Sequence, residues 1–93
     1  MLKVNEYFEG AVKSIALENE EGTATIGVME AGEYQFGTAT IELMTITSGS
    51  LDVLLPGETD WKTYQTGETF RVEKDLKFKV KAAQQVAYYC LYI

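Results

Sequence analysis

The stretch of residues 32–53 constrains the fold of this chain more than any other. Its side chains alternate in character along residues 33–37 and again along 40–48, which is the pattern of β-strands with two distinct faces. A Ser48-Gly49 turn then leads into a third strand at residues 51–55. Short strands joined by tight turns predict a sheet protein.

The same pattern of short strands and turns continues through the rest of the chain, with no helical periodicity. The predicted strands are 11–17, 23–29, 33–37, 40–48, 51–55, 61–65, 69–72, 76–82 and 86–93. The first two form a hairpin with a five-residue connection at 18–22, where Asn19 and Gly22 suit a turn. Roughly nine short strands predict an all-β sandwich or small barrel.

The length of 93 residues predicts one domain spanning residues 1–93. Apolar residues are 46% of the chain, which is enough for a core, but a domain of this size buries only about 60–65% of its unfolded surface. The last strand, 86–93, is apolar on both faces, so we expect a second sheet or subunit to cover its outer side. An oligomer is therefore expected.

Charge and cysteine content exclude several classes of protein. The net charge is −6 and the eight Lys and Arg are scattered, which argues against a nucleic-acid partner but leaves room for a small anion. The single Cys90 excludes an internal disulfide and suits a reducing compartment. No apolar leader or membrane-length run is present. We expect a soluble cytoplasmic protein without a membrane partner.

The spacing around Glu42 resembles the cupins. Six residues separate Glu42 from Gly49, and Phe36 and Thr38 occupy the positions of the cupin His pair. Phe78 stands where the last cupin His would lie, and the chain contains no His. Carboxylate, hydroxyl and aromatic groups do not form a usual transition-metal site. The resemblance implies a cupin-like (RmlC-like) jelly-roll β-barrel without a metal.

We expect one interior to be lined by Tyr34, Phe36, Thr38, Glu42 and Phe78. If the face that Glu42 shares with Met44 and Ile46 is inside, desolvation raises the pKa of this carboxyl and suits a general acid. The opposite face is also half apolar, so Glu42 is equally compatible with a solvated position, or with pairing to a Lys. Phe36 and Phe78 are also compatible with simple core packing.

Other reactive side chains favour structural interpretations. Arg71 is the only Arg and suits phosphate binding, but its alternation with Phe70 predicts a surface position. Cys90 lies among apolar residues without an activating His and is interpreted as an inert core thiol. The alternating lysines of strand 76–82 are interpreted as its solvated face; they are Lys77, Lys79 and Lys81.

Short pieces along nearly the whole chain are similar to the pyrimidine/purine nucleoside phosphorylases. They include Asn5-Glu6-Tyr7-Phe8, Val12-Lys13-Ser14-Ile15, Gly27-Val28-Met29, Gly32-Glu33-Tyr34, Glu42-Leu43-Met44-Thr45, Leu54-Leu55-Pro56, Asp60-Trp61 and Tyr89-Cys90. The resemblance implies a homodimer that splits many nucleosides with phosphate into free base and ribose 1-phosphate. Leu91 follows Cys90 where family members carry an Arg, so the phosphate-binding residues stay unassigned.

This chemistry suggests roles for the predicted interior residues. A carboxylate stabilises the positive charge that develops on the sugar, which makes Glu42, or less favourably Glu33, the catalytic candidate. Tyr34, Phe36, Thr38 and Phe78 would bind the nucleoside, and phosphate is a co-substrate with no further cofactor. The alternative is a non-catalytic metal-free cupin, a small-molecule-binding or structural module whose interior is filled by its own side chains.

Overall fold

Ten strands form the protein, as described by a computed structural model of residues 1–93. The strands are β1 (Val4–Tyr7), β2 (Val12–Asn19), β3 (Gly22–Met29), β4 (Gly32–Gly37), β5 (Glu42–Ser48), β6 (Ser50–Leu54), β7 (Lys62–Gln65), β8 (Thr69–Val72), β9 (Lys77–Ala82) and β10 (Val86–Tyr92). One 3-10 turn, Phe8–Gly10, lies between β1 and β2. The predicted all-β class is confirmed.

The strands form two antiparallel sheets that pack face to face. The larger sheet has the order β1-β2-β3-β10-β5-β8, and the smaller has the order β4-β9-β6-β7. No strand belongs to both sheets, so the strand pairing describes a sandwich and the predicted closed barrel is not confirmed by it. The fold contains no helix long and apolar enough to cross a membrane.

Two details of the predicted strands are corrected by the structure. The hairpin of β2 and β3 has a two-residue loop, because Asn19 already pairs with Gly22 in the ladder. The Asn19 side chain accepts a hydrogen bond from the Glu21 N–H at 2.8 Å. Asn19 and Gly22, which suit a turn, are therefore the last residue of β2 and the first residue of β3. Strand β1 was missed because Val4–Tyr7 is a short edge strand with a single half-buried residue, Asn5.

The core lies between the sheets and follows the alternation of the strands. On β9, Phe78, Val80 and Ala82 are buried while the lysines between them are exposed, as the sequence predicts. Sixteen buried residues from both inner faces form one hydrophobic cluster. Leu76 is 41% exposed and precedes β9, so it does not continue the buried row.

Strand β10 lies in the middle of the larger sheet, between β3 and β5. Its inner side chains, Val86, Tyr88 and Cys90, are buried. The opposite side chains, such as Tyr89 and Leu91, are half-buried. The single chain therefore covers the outer face of β10 only in part.

Gly27 provides space for the ring of Tyr88, its partner on β10. A Cβ atom at residue 27 would lie 2.5 Å from both the Cζ and the hydroxyl oxygen of Tyr88. Tyr88 is 5% exposed, so its ring has little freedom to move aside. The close approach of β3 to this ring depends on the absence of a side chain.

We predict that Gly27→Ala destabilises the protein by about 1–3 kcal/mol, because overpacking forces the Tyr88 ring or the backbone to shift. Thermal unfolding monitored by circular dichroism should show a lower midpoint, by roughly 4–8 °C for each kcal/mol. Gly37→Ala is the matched control, since an added Cβ there meets nothing nearer than the Leu76 carbonyl oxygen at 4.0 Å. Equal midpoints for the two variants would contradict the explanation.

Candidate active site

A cavity of about 680 Å³ opens between the two sheets. Both sheets and the turn after β1 contribute to its wall. The lining residues are Tyr7, Phe8, Ser14, Thr23, Gln35, Phe36, Gly37, Ala39, Thr40, Glu42, Met44, Phe78, Tyr88, Cys90 and Tyr92. Its size is within the range of sites that enclose small organic ligands.

The two sides of the cavity differ in chemistry. Phe36 on β4 and Phe78 on β9 are direct cross-strand partners in the smaller sheet, and their ring centroids lie 5.8 Å apart. The larger sheet contributes hydroxyl, thiol and carboxyl groups, from Ser14, Tyr88, Cys90, Tyr92 and Glu42. One side can therefore stack on a flat ring, and the other can form hydrogen bonds.

Glu42 faces this cavity from the first position of β5. Met44 and Ile46, on the same face of the strand, are 5% and 0% exposed, so the face that was ambiguous in the sequence is the inner one. Glu42 takes part in none of the three ion pairs of the protein. It is the only carboxylate in the lining, and no Lys or Arg accompanies it.

The surroundings of Glu42 favour its protonated form. Burial raises the pKa of this carboxyl group, and the Cys90 thiol, which donates a hydrogen bond to Oε1 at 3.3 Å, opposes that shift in part. A carboxyl with a raised pKa holds its proton closer to neutral pH, as a general acid requires. Its one identified hydrogen-bond donor comes from the neighbouring strand β10.

The hydroxyl and thiol groups beside Glu42 stay uncharged at neutral pH. Burial raises the pKa of Tyr88 to about 12, and it also raises the pKa values of Cys90 and Tyr92. The Tyr92 hydroxyl lies 2.9 Å from the Thr25 hydroxyl, which holds its ring against β3. Cys90 is 1% exposed, consistent with an inert thiol, but its hydrogen bond to Glu42 had no signal in the sequence.

Two predicted site residues lie outside the cavity lining. Tyr34 packs behind Phe36 with ring centroids 6.3 Å apart, and its hydroxyl donates to the Glu30 carbonyl at 2.8 Å. The Thr38 hydroxyl donates to the Glu73 carbonyl at 2.7 Å and accepts from the Leu76 N–H at 3.1 Å. Thr38 thus joins the end of β4 to the segment before β9.

Three further positions lie outside the cavity lining. Glu33 is on the outer side of the smaller sheet, 3.9 Å from Lys81, and is not part of the lining. Arg71 is exposed and pairs with Glu73 at 2.9 Å, as its alternation predicts. Leu91 is on the opposite face of β10 from Cys90 and Tyr92, so a residue at this position does not face the cavity of its own chain.

Several lining residues were not identified from the sequence. Tyr88 and Tyr92 lie on the same face of β10 as Cys90. The sequence could not show that this face is the inner one, because the other face is equally apolar. Ser14 lies on the same strand face as the buried Val12. A polar residue on a buried face was the only indication that Ser14 lines the cavity. Phe8 reaches the cavity from a turn, which has no periodic pattern to reveal it.

The residues present do not fit a transition metal of the cupin type. Of the positions that would hold cupin ligands, only Glu42 offers a strong ligand atom to the cavity, and the Thr38 hydroxyl is used within the fold. No group of three or more His, Cys, Asp or Glu side chains is close enough to bind an ion. The donor set instead suits an organic ligand.

Comparisons with known proteins cover the whole chain. Residues 2–92 match the sequence model of a family described as pyrimidine/purine nucleoside phosphorylase. A protein of that name from Shewanella pealeana is 58% identical over 92 residues, which are 99% of each chain. A crystal structure of a protein of unknown function from Vibrio parahaemolyticus has a TM-score of 0.95 and 42% identity, covering 100% of this chain and 99% of that one.

A more distant structure supports the fold. An RmlC-like cupin from Shewanella frigidimarina superposes with a TM-score of 0.75 at 18% identity, over 96% of this chain and 80% of its own. At this identity the similarity concerns the fold alone. It identifies the two-sheet sandwich as the RmlC-like cupin architecture.

We predict that Glu42→Gln becomes increasingly stabilising relative to the natural protein as the pH rises. Because folding raises the pKa of Glu42, its contribution to stability is present below the unfolded pKa and is lost as the pH rises through the folded pKa. Gln resembles the protonated acid and does not ionise. Urea unfolding at about pH 4 and about pH 8 should show this change in the difference between the two proteins.

Glu20→Gln is the control, because Glu20 is exposed in the loop between β2 and β3. The stability of this variant relative to the natural protein should vary little between the two pH values. A pH-independent difference for Glu42→Gln would show that the fold does not favour protonated Glu42.

Proposed function

Since the chain belongs to the pyrimidine/purine nucleoside phosphorylase family, we propose that its cavity binds a nucleoside and phosphate and converts them to free base and ribose 1-phosphate. The protein is then a pentosyltransferase of broad specificity. The observation that carries the proposal is the match of residues 2–92 to this family, and the cavity with a single carboxylate is compatible with the reaction.

The alternative of a non-catalytic module with a filled interior is not favoured. Such a module needs the inner side chains to close the space between the sheets, whereas an open cavity of about 680 Å³ lies there. The family match also assigns the chain to an enzyme. We therefore retain only the catalytic function.

We propose Glu42 as the catalytic residue, acting as a general acid. A phosphate oxygen forms a bond to C1′ of the ribose while the bond from C1′ to the base nitrogen breaks. The electron pair of the broken bond leaves with the base, which takes the proton of Glu42. The resulting carboxylate stabilises the positive charge on the sugar, and the proton carried by phosphate then restores the acid.

Phe36 and Phe78 are the proposed substrate-binding residues. Their rings offer stacking surfaces that do not read the hydrogen-bonding edge of a base, which suits both purines and pyrimidines. Tyr34 and Thr38 support binding indirectly in this proposal: Tyr34 backs the Phe36 ring, and Thr38 holds the end of β4. The neutral hydroxyls of Tyr88 and Tyr92 are suited to the ribose.

Phosphate is the co-substrate. We propose that the reaction requires no other cofactor and no metal. No Lys or Arg lines the cavity, so neutral donors on the polar side are the available ligands within one chain. Finer features of the proposal are a cytoplasmic location, a role in nucleoside salvage, the closed jelly-roll barrel and a single domain of residues 1–93. Nucleic acid and membrane partners are not part of it.

The proposal also includes a homodimer formed through the outer face of the larger sheet. Val4, Ile15, Ile26 and Tyr89 are cross-strand neighbours in one row over β1, β2, β3 and β10. Residues 4, 15 and 26 of this row are between 44% and 56% exposed, and Val28 beside them is 49% exposed. A contiguous apolar stripe of this kind is typical of a subunit interface.

We predict phosphate-dependent release of free base from uridine, adenosine, inosine and guanosine by purified, chelator-treated protein. Glu42→Gln should reduce kcat by about 10²–10⁴-fold, because general acid catalysis contributes about that much. Glu33→Gln, an exposed carboxylate outside the cavity, should retain activity. Chromatographic separation of base from nucleoside measures each rate.

Two outcomes would contradict different parts of the proposal. Full turnover by folded Glu42→Gln would exclude this residue from the reaction. No base release from any nucleoside by folded natural protein would overturn the phosphorylase itself. Loss of activity on treatment with the chelator would overturn its independence of metal.

We predict that the natural protein sediments at twice the 10.4 kDa of one chain and that Ile26→Lys sediments as a monomer. A buried, unpaired ammonium in the interface is strongly unfavourable. Thr63→Lys, an exposed change on the outer side of the smaller sheet, should leave the dimer intact. A natural protein that is monomeric at micromolar concentration would exclude this interface.

A further inference from the structure

Phe8 occupies an unusual position at the cavity. It belongs to the connection between β1 and β2, and its side chain lines the cavity although the residue is 47% exposed. An aromatic ring that is both part of the lining and open to solvent lies at the mouth. A ligand that enters the cavity can therefore contact the Phe8 ring.

The backbone at Phe8 is held in an unfavourable conformation. Phe8 and Glu9 have φ values of 53° and 57°, and Gly10 follows at 90°. A bulky residue with positive φ is a genuine outlier, and such strain persists only where the surroundings enforce it. Here the Ala11 N–H donates to the Phe8 carbonyl at 3.1 Å, and the Ala11 carbonyl accepts from the Glu30 N–H at 2.8 Å.

The strained turn brings the Phe8 ring across to the smaller sheet. Its centroid lies 5.0 Å from that of Tyr34 and 5.6 Å from that of Phe36, with the Phe8 and Phe36 rings nearly perpendicular, at 87°. Phe36 in turn contacts Phe78. Phe8 therefore extends the aromatic side of the cavity outward to its mouth.

We propose that Phe8 is a further substrate-binding residue, whose ring stacks on the base of the bound nucleoside. This inference deepens the proposed function and rests on it. Ribose and phosphate are polar and are served by the hydroxyl-bearing side of the cavity, whereas a base is the flat part of the substrate. Phe8, Phe36 and Phe78 line one side of the cavity, where their rings can contact a base of any type.

The stacking role predicts which kinetic constant changes. A ring that touches only the base binds the substrate and the transition state alike, so its loss raises KM and leaves kcat nearly unchanged. The loss of one base–aromatic stack weakens binding by about 5- to 100-fold. The KM for phosphate should not change, and purine and pyrimidine nucleosides should both be affected.

The test compares Phe8→Asn with Phe8→Tyr. Asn tolerates positive φ, so it removes the ring without adding backbone strain, while Tyr retains the ring. We expect Phe8→Asn to raise the KM for uridine and adenosine by about 5- to 100-fold, and Phe8→Tyr to keep natural values. Trp61→Asn is the matched control, since Trp61 is half-buried beneath Lys81 and does not line the cavity.

Calorimetric binding of the same nucleosides without phosphate separates this inference from the proposed function. Weaker binding by folded Phe8→Asn supports stacking even if the natural protein shows no turnover, which would overturn only the phosphorylase. Unchanged nucleoside KM and binding in folded Phe8→Asn would overturn the role of Phe8 alone. A loss confined to kcat, or a rise in the KM for phosphate, would also overturn it.

Discussion

Contacts between aromatic rings connect the two sheets and continue to the mouth of the cavity. Phe70, on the larger sheet, has its ring centroid 5.0 Å from Tyr64 and 6.0 Å from Phe78, both on the smaller sheet. From Phe78 the contacts continue through Phe36 to Phe8. Each such pair contributes about 0.5–1.5 kcal/mol beyond its buried area, so this row is a principal link between the layers. Of this row, Phe78, Phe36 and Phe8 also form one side of the cavity.

The arrangement of the cavity follows from the position of β10 as much as from the aromatic row. Strand β10 pairs with β3 and β5, so Tyr88, Cys90 and Tyr92 face inward beside Glu42. Gly27 on β3 leaves the space that the Tyr88 ring needs. The result is a wall of neutral hydrogen-bonding groups with one carboxyl. Such a wall can donate and accept hydrogen bonds without a cluster of fixed charges.

The fold is an RmlC-like cupin architecture, and its cavity is lined by one carboxyl group and by aromatic rings. The half-buried Glu42 has no cationic partner, and burial raises its pKa. A paired carboxylate would be held ionised and would be a poor proton donor. The absence of a salt bridge at Glu42 is therefore compatible with acid catalysis, whereas the exposed pairs Glu33–Lys81 and Arg71–Glu73 lie away from the cavity. The cavity combines aromatic rings with a single carboxyl group.

The sequence by itself determined the all-β class, most of the strands, and which side chains lie on the same face of a strand. It could do so because side-chain alternation depends only on local backbone geometry. It therefore predicted that Glu42 lies with Met44 and Ile46, and that Phe78 lies opposite the lysines of β9. It could not decide which face of β5 is inside, since both faces are half apolar. Only the pairing of β5 with β10 and the packing of the opposite sheet decided that Glu42 faces the cavity. Tertiary structure likewise brought Phe8 to its mouth and left Thr38 outside the lining, because turns and long-range hydrogen bonds leave no periodic signal.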